Sequence, residues 1–215
     1  MAAHSGPDII QDGLVFYVDA ANTKSYPGSG TTWFDLSGNG KHATLTGSPT
    51  FNSAGYFDLD GTDDFAAVTI ATGTTRTVSH WFRQNSSGSG RGPLWRTNDW
   101  RERIFSTQVL LVDSGGNYHG MNFSSALGTD ELVNICYSFN GTSAKCYVNG
   151  ELDATSTLTA NMNTGTYTYN FGKQASGSTT TFQNEEQYSI AFYDAELTAA
   201  QVKQNFNAVR GRFPI

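Results

Sequence analysis

The chain has 215 residues, of which 38% are hydrophobic, 13% aromatic and only 15% charged, with 23 glycines. That length suits one large domain with an ample core. The balance of aromatic residues and glycine against charge favours strands joined by tight turns over helices. A formal net charge of −6 excludes a general nucleic-acid binder, which would show a basic stripe, and makes anionic membrane surfaces poor partners. No apolar run approaches the ~18 residues of a spanning helix. The opening MAAHSGPDIIQDG lacks a basic end followed by an apolar segment, so no secretory signal is expected.

In chain order, residues 1–12 read as a short arm, and 13–215 as one domain. GLVFYVDA (13–20) is a continuous apolar run, the pattern of a strand covered on both faces. TTWF (31–34) is a short strand followed by the turn-forming DLSGNGK. HATLTGSPTF (42–51), GYFDLDG (55–61), DFAAVTI (64–70) and TRTVSHWFRQ follow as strands. PLWR, RIFST, VLLVD and YHGMNF are of strand length, with turn residues between them. Asn140-Gly141 and Asn149-Gly150 mark two hairpins, giving a three-stranded meander over 131–154. TYTYNFG (166–172) and the run from Thr180 to Tyr193 add further strands.

The period then changes. Thr198 with Gln201 forms a capping box, Leu197 and Val202 a hydrophobic staple, and Val202, Phe206 and Val209 one helical face. A helix over 199–209 is expected, ended by Gly211 beside Arg210 and Arg212. A three-residue turn centred on Gly141 would set Cys136 opposite Cys146, so a cross-strand disulfide is geometrically open. Two reduced, partly buried thiols is the favoured reading.

Four stretches together resemble the laminin G-like, concanavalin A-like lectin and glucanase superfamily. They are GLVFYVDAANTKSYPGSGTTWFDLSGNG, GYFDLDGTDDF, CYVNGELD and IAFYDAELTAAQVKQNFNAVRGRF. The resemblance spans nearly the whole chain. It implies an all-β, two-sheet antiparallel jelly-roll sandwich, here with one short C-terminal α-helix. The closing NFNAVRGRF is similar to versions in structural proteins of tailed bacteriophages. That similarity implies a virion component, such as a capsid decoration, head fibre or tail fibre, assembled in a host cytoplasm. Its partners would be other capsid or tail proteins, with a homo-oligomer open.

Glucanases of this superfamily carry two glutamates and an aspartate at alternating positions of one strand. None of Glu102, Glu131, Glu151, Glu185, Glu186 and Glu196 has that spacing, and Glu185 and Glu186 must face opposite ways in a strand. No enzyme is expected. His80, inside an aromatic strand, reads as a hydrogen-bonded core residue. Calcium is a candidate ligand at Asp19, Asp35 and Asn39, with loop capping as the stronger alternative. DLDGTDD reads as a tight turn with solvated acids. The basic, aromatic RGPLWRTNDWRER supplies Trp95, Arg96, Asn98, Asp99, Trp100 and Arg101 as candidate contacts to a partner protein or a polysaccharide. Packing in the core or at a sheet edge is the competing role for the two tryptophans.

Overall fold

The computed structural model describes residues 8–85, 94–96, 102–176 and 179–213. Its strands are β1 (Leu14–Asp19), β2 (Thr32–Trp33), β3 (Ala43–Thr46), β4 (Thr50–Asn52), β5 (Tyr56–Asp60), β6 (Phe65–Thr72), β7 (Thr75–Gln84), β8 (Leu94–Arg96) and β9 (Glu102–Ile104). There follow β10 (Gln108–Val112), β11 (Tyr118–Asn122), β12 (Leu132–Asn140), β13 (Ser143–Val148), β14 (Glu151–Thr157), β15 (Gly165–Phe171), β16 (Lys173–Ser176), β17 (Thr179–Phe182) and β18 (Asn184–Tyr193). Helix α1 (Ala199–Val209) and a 3-10 turn (Arg210–Arg212) close the chain.

Among the described residues these strands form two eight-stranded antiparallel sheets and the small β16–β17 ribbon. The first sheet runs β14-β13-β12-β7-β18-β5-β4, with β1 on the edge of β18 beyond β5. The second runs β11-β10-β9-β8-β15-β6-β3-β2. Their inner faces share one core that includes Phe16, Trp33, Phe57, Val78, Phe82, Tyr137, Tyr169, Phe171 and Phe192. Together they make the expected jelly-roll sandwich.

The sheets differ on their outer sides. In the first, β7, β12 and β18 are buried almost throughout, because a second layer covers them. That layer is α1 and its flanks: Trp81 stacks on Phe206 at 5.2 Å, and Phe213 packs edge-on to Trp81 and Tyr188. In the second, β3 and β6 alternate buried and exposed positions, the mark of one solvated face.

Three sequence expectations change in the structure. Residues 42–51 are two strands in different sheets. The chain crosses over at Gly47 and Ser48, both in the left-handed region (φ 92° and 100°). The helix is capped as expected, Gln201 N–H donating to Thr198 Oγ1 and Thr198 N–H to Gln201 Oε1. It does not end on a left-handed glycine, however. Gly211 sits inside the 3-10 turn, which carries Arg212 back to Asp19. Finally, the hairpin turn after β12 has two residues, since Asn140 pairs with Ser143. That register sets Cys136 beside Tyr147 and Cys146 beside Tyr137. The two thiols therefore face opposite sides of the sheet and are free, which removes the disulfide option.

The second hairpin turn receives the helix. Asn149 and Gly150 have φ of 51° and 80°, and a Cβ on Gly150 would lie 2.8 Å from that of Phe206. Gly28 is also left-handed (φ 99°) but has open space around it. Gly28→Ala should therefore cost only the backbone strain, about 1 kcal/mol. Gly150→Ala should cost clearly more, because it also forces the Phe206 ring off Trp81. Urea unfolding of the two variants measures the difference.

Candidate functional site

The loop after β2 is a capped turn. One oxygen of Asp35 accepts the backbone N–H groups of Tyr17 and Ser37, both at 2.9 Å. The other accepts the Ser37 hydroxyl (2.8 Å) and the Lys41 N–H (3.2 Å). The Asn39 amide donates to the Leu14 carbonyl and to Ser37 Oγ, pinning the loop to β1. Asp19 is fully buried, accepting from Ala21 N–H (2.9 Å), the Tyr17 hydroxyl (3.1 Å) and the Arg212 guanidinium (2.6 Å). Burial raises its pKa, partly offset by Arg212. These donors occupy the carboxylate oxygens that a calcium ion would need. Capping is thus what the geometry displays at Asp19, Asp35 and Asn39. Asp60, Asp63 and Asp64 bring ligand atoms within 4.8 Å of one another, but Asp60 and Asp64 accept backbone N–H groups of Thr62 and Asp60, as in a turn.

Of the candidate partner-binding residues, Asn98, Asp99, Trp100 and Arg101 lie outside the described residues, as does the Trp95 side chain. Arg96 is described, and it is not a surface residue. Strand alternation turns it inward, where it is fully buried over the Tyr167 ring (4.0 Å) and 3.1 Å from Glu102. Glu102, on β9, is also fully buried, and it accepts from Arg76 of the opposite sheet at 2.7 Å. The Tyr169 and Tyr137 hydroxyls complete its shell at 2.8 and 3.0 Å. Burial pushes the Glu102 carboxyl up, but the two guanidinium groups and two phenols prevail and hold it below its ordinary value. This cluster is an inter-sheet clamp, inaccessible to a ligand.

A second buried polar chain runs from Glu185 through Gln187 to His80. Gln187 donates to Glu185 at 2.6 Å and accepts from His80 Nε2 at 2.5 Å. His80 is therefore the core residue its strand suggested. Glu185 and Glu186 do face opposite ways: Glu186 bonds the Tyr188 hydroxyl and lies 3.3 Å from Arg83 on the outer side.

The outer face of the second sheet is solvated at its two ends, along β3 and β6 and at Tyr118, while Asn170 and Arg103 between them are buried. Register places Thr32, Thr44, Ala67, Asn170, Trp95, Arg103, Leu110 and Gly120 in a single cross-strand row. Eight strands at a spacing of ~4.8 Å make this row about 34 Å long. Near one end lies a groove of about 330 Å³ lined by Lys41, His42, Thr44, Thr69 and Thr168. The Thr69 and Thr168 hydroxyls meet at 2.9 Å. Near the other end Tyr118 is 61% exposed, its ring 5.9 Å from the Arg103 guanidinium. Hydroxyls, cationic donors and an open ring can hydrogen-bond and stack on a flat polar ligand. The larger concavity, about 570 Å³, lies between residues 8–11, β1 and the end of α1. Arg212 on its wall is committed to Asp19.

A family model described as the concanavalin A-like lectin/glucanases superfamily matches residues 51–203, and the chain belongs to that superfamily. No curated protein matches it in sequence. Among solved structures it is similar to domain 4 of AbnA, an extracellular arabinanase from Geobacillus stearothermophilus, in complex with arabinotriose. Identity is 16% and the TM-score 0.68, over 90% of this chain and 98% of that one. It is also similar to the binding domain of botulinum neurotoxin DC in complex with SialylT (16%, TM-score 0.68, 92% of this chain). A third similar structure comes from botulinum neurotoxin type C, whose cell entry depends on two ganglioside molecules (17%, TM-score 0.69, 93% of this chain). The chain spans about half of each neurotoxin domain, 52%. At these identities the likeness establishes the fold.

The buried pair sets a pH dependence. Burial pushes the Glu185 carboxyl up from 4.5 to about 8 and the His80 imidazole down from 6.5 to about 4. Glu185 thus favours folding fully below pH 4.5, and this contribution is lost as pH rises through 8. His80 costs stability only as pH falls below 6.5. Between pH 6.5 and 8, of the two, Glu185 alone titrates differently in the folded and unfolded chains. Over that window the unfolding free energy should fall, by about 2 kcal/mol at most for one proton. Glu185→Gln, which stays neutral, should flatten the slope in urea titrations at pH 6.5 and 8.

Proposed function

We propose that the chain is a non-catalytic binding module that recognises polysaccharide on the open face of its second sheet. We further propose that it is carried on the particle of a tailed bacteriophage, as a capsid-decoration, head-fibre or tail-fibre component. The first part is carried by one observation: the outer face of the second sheet, solvated along β3 and β6, holds a hydroxyl-lined groove and, at its β11 edge, an exposed tyrosine, while α1 covers the middle strands of the other sheet. Similarity to the arabinotriose-bound arabinanase domain, covered over 98% of its length, supports it. The non-catalytic part is supported by the glutamates. Glu102 and Glu185 are buried in the core, and Glu151 and Glu196 pair with Lys203 and Lys145. No two of these converge on a groove.

The phage setting rests on the resemblance of the closing NFNAVRGRF, and mass spectrometry of purified particles tests it: absence of the chain would refute it. For the open face, affinity electrophoresis through gels containing arabinan or bacterial capsular polysaccharide is the direct assay. Tyr118→Ala removes the stacking ring and Thr168→Trp fills the groove. Each should lower retention about tenfold, the loss of roughly 1.4 kcal/mol of contact, without moving the unfolding midpoint. Retention unchanged in both variants would place binding elsewhere.

A further inference from the structure

Charge is divided unevenly between the two sheets. The strands of the first carry Asp19, Asp58, Asp60, Glu151, Asp153 and the Glu185–Glu186 pair. Those of the second carry one carboxylate, Glu102, and it is locked in the core between two arginines. The outward positions of the second sheet's described strands therefore present no acid at all, in a chain whose net charge is −6. Cations are present there. Lys41 lines the groove. Lys173 lies 4.0 Å over the ring of Phe65, an outward residue of β6. Arg103 occupies the cross-strand row beside Tyr118. Among the described residues neither Lys41 nor Lys173 is in an ion pair. Acids stand at the margins: Asp35 is bonded to its own loop, Asp60, Asp63 and Asp64 sit in the turn before β6, and Asp113 is bonded within the β10–β11 turn.

This distribution bears on the ligand. A neutral sugar is rich in hydroxyl donors, which carboxylates are well suited to accept. A face without carboxylates forgoes that chemistry. It offers ammonium, guanidinium and hydroxyl donors instead, which match a ligand rich in acceptors. The rest of an acidic protein repels an anion, whereas this face removes the barrier locally. Resting on the reading that the open face takes polysaccharide, we infer that its ligand is an anionic polysaccharide, bearing carboxylate or sulfate groups. The polysaccharide occupies the Thr44–Thr168 groove, where Lys41 and Lys173 contact its acidic substituents; Arg103, buried in the middle of the row, contributes potential only.

The test is a glycan array probed with the full chain. It carries uronate-, sialate- and sulfate-bearing chains beside neutral counterparts of matched backbone, at 50 and 500 mM NaCl. Signal should concentrate on the acidic chains and fall about tenfold at the higher salt, as screening shortens the reach of the exposed cations. The Lys41→Gln/Lys173→Gln double variant should lose about tenfold at low salt with an unchanged unfolding midpoint, and Lys41→Gln alone should lose part of that. Equal or stronger signal on neutral chains, insensitive to salt, overturns the anionic assignment and leaves the open-face reading standing. Acidic binding that ignores the lysine substitutions also overturns it. No signal on any chain defeats the polysaccharide reading itself.

Discussion

The sandwich is organised around a single carboxylate. Glu102 has no access to solvent, yet it meets four donors from both sheets: Arg76 and Tyr137 from the first, Arg96 and Tyr169 from the second. Hydrophobic contact holds two sheets together but is indifferent to small slides between them. A buried ion with directional partners is not, because any slip strands a charge in a low-dielectric interior. Such a cluster need not add net stability over a well-packed apolar one. Its value here is register: it fixes β9 and β8 of one sheet against β7 and β12 of the other.

That constraint reaches the surface. Residues alternate across a strand, so fixing Arg96 and Glu102 inward fixes the positions beside them in the outer row. Arg103 follows Glu102 directly, and it turns to the outer side, where it is buried against Tyr118 and Phe105. The polar interior thus decides which residues the open face can present. The Glu185–Gln187–His80 chain has a different character: among the described residues His80 Nδ1 and Glu185 Oε2 have no hydrogen-bond partner. It tolerates burial by staying neutral, where the clamp stays charged.

Much of this architecture is written locally. The continuous apolar run 13–20 signalled a strand covered on both faces, and β1 is packed between the core and the outer layer. The capping box at Thr198 and the Asn149-Gly150 turn fix their own backbone geometry, so they read correctly without tertiary information, whereas the length of the turn after Asn140 did not. Non-local facts were not legible. Arg96 and Glu102 lie six residues apart among other arginines and look like surface charge. Only strand pairing shows that both turn inward onto Tyr137 and Tyr169. The open face was equally hidden, because Thr44, Asn170, Arg103 and Tyr118 come from distant parts of the chain and are individually ordinary. The basic segment 91–103 stands out by composition, yet of its residues only Arg103 joins the cationic side of the second sheet, where Lys41 and Lys173 come from distant loops.

The two sheets also explain why the closing phrase NFNAVRGRF is so constrained. Phe206 stacks on Trp81, Asn205 bonds the Tyr193 hydroxyl and Ile10 N–H, Arg212 pairs with Asp19, and Phe213 packs on Tyr188. Nearly every side chain in it closes the back of the first sheet. A motif whose large side chains mostly pack inward reports how a domain is sealed, and only indirectly where the domain serves. Sealing one sheet in this way leaves the solvated end of the other, along β3 and β6, as strand-built surface open to a partner. The division of labour between a helix-backed wall and an open, acid-free face is therefore a consequence of the C-terminal clasp. A chain lacking the clasp would expose aromatic surface on the first sheet, and two faces would then compete for whatever the second now binds alone.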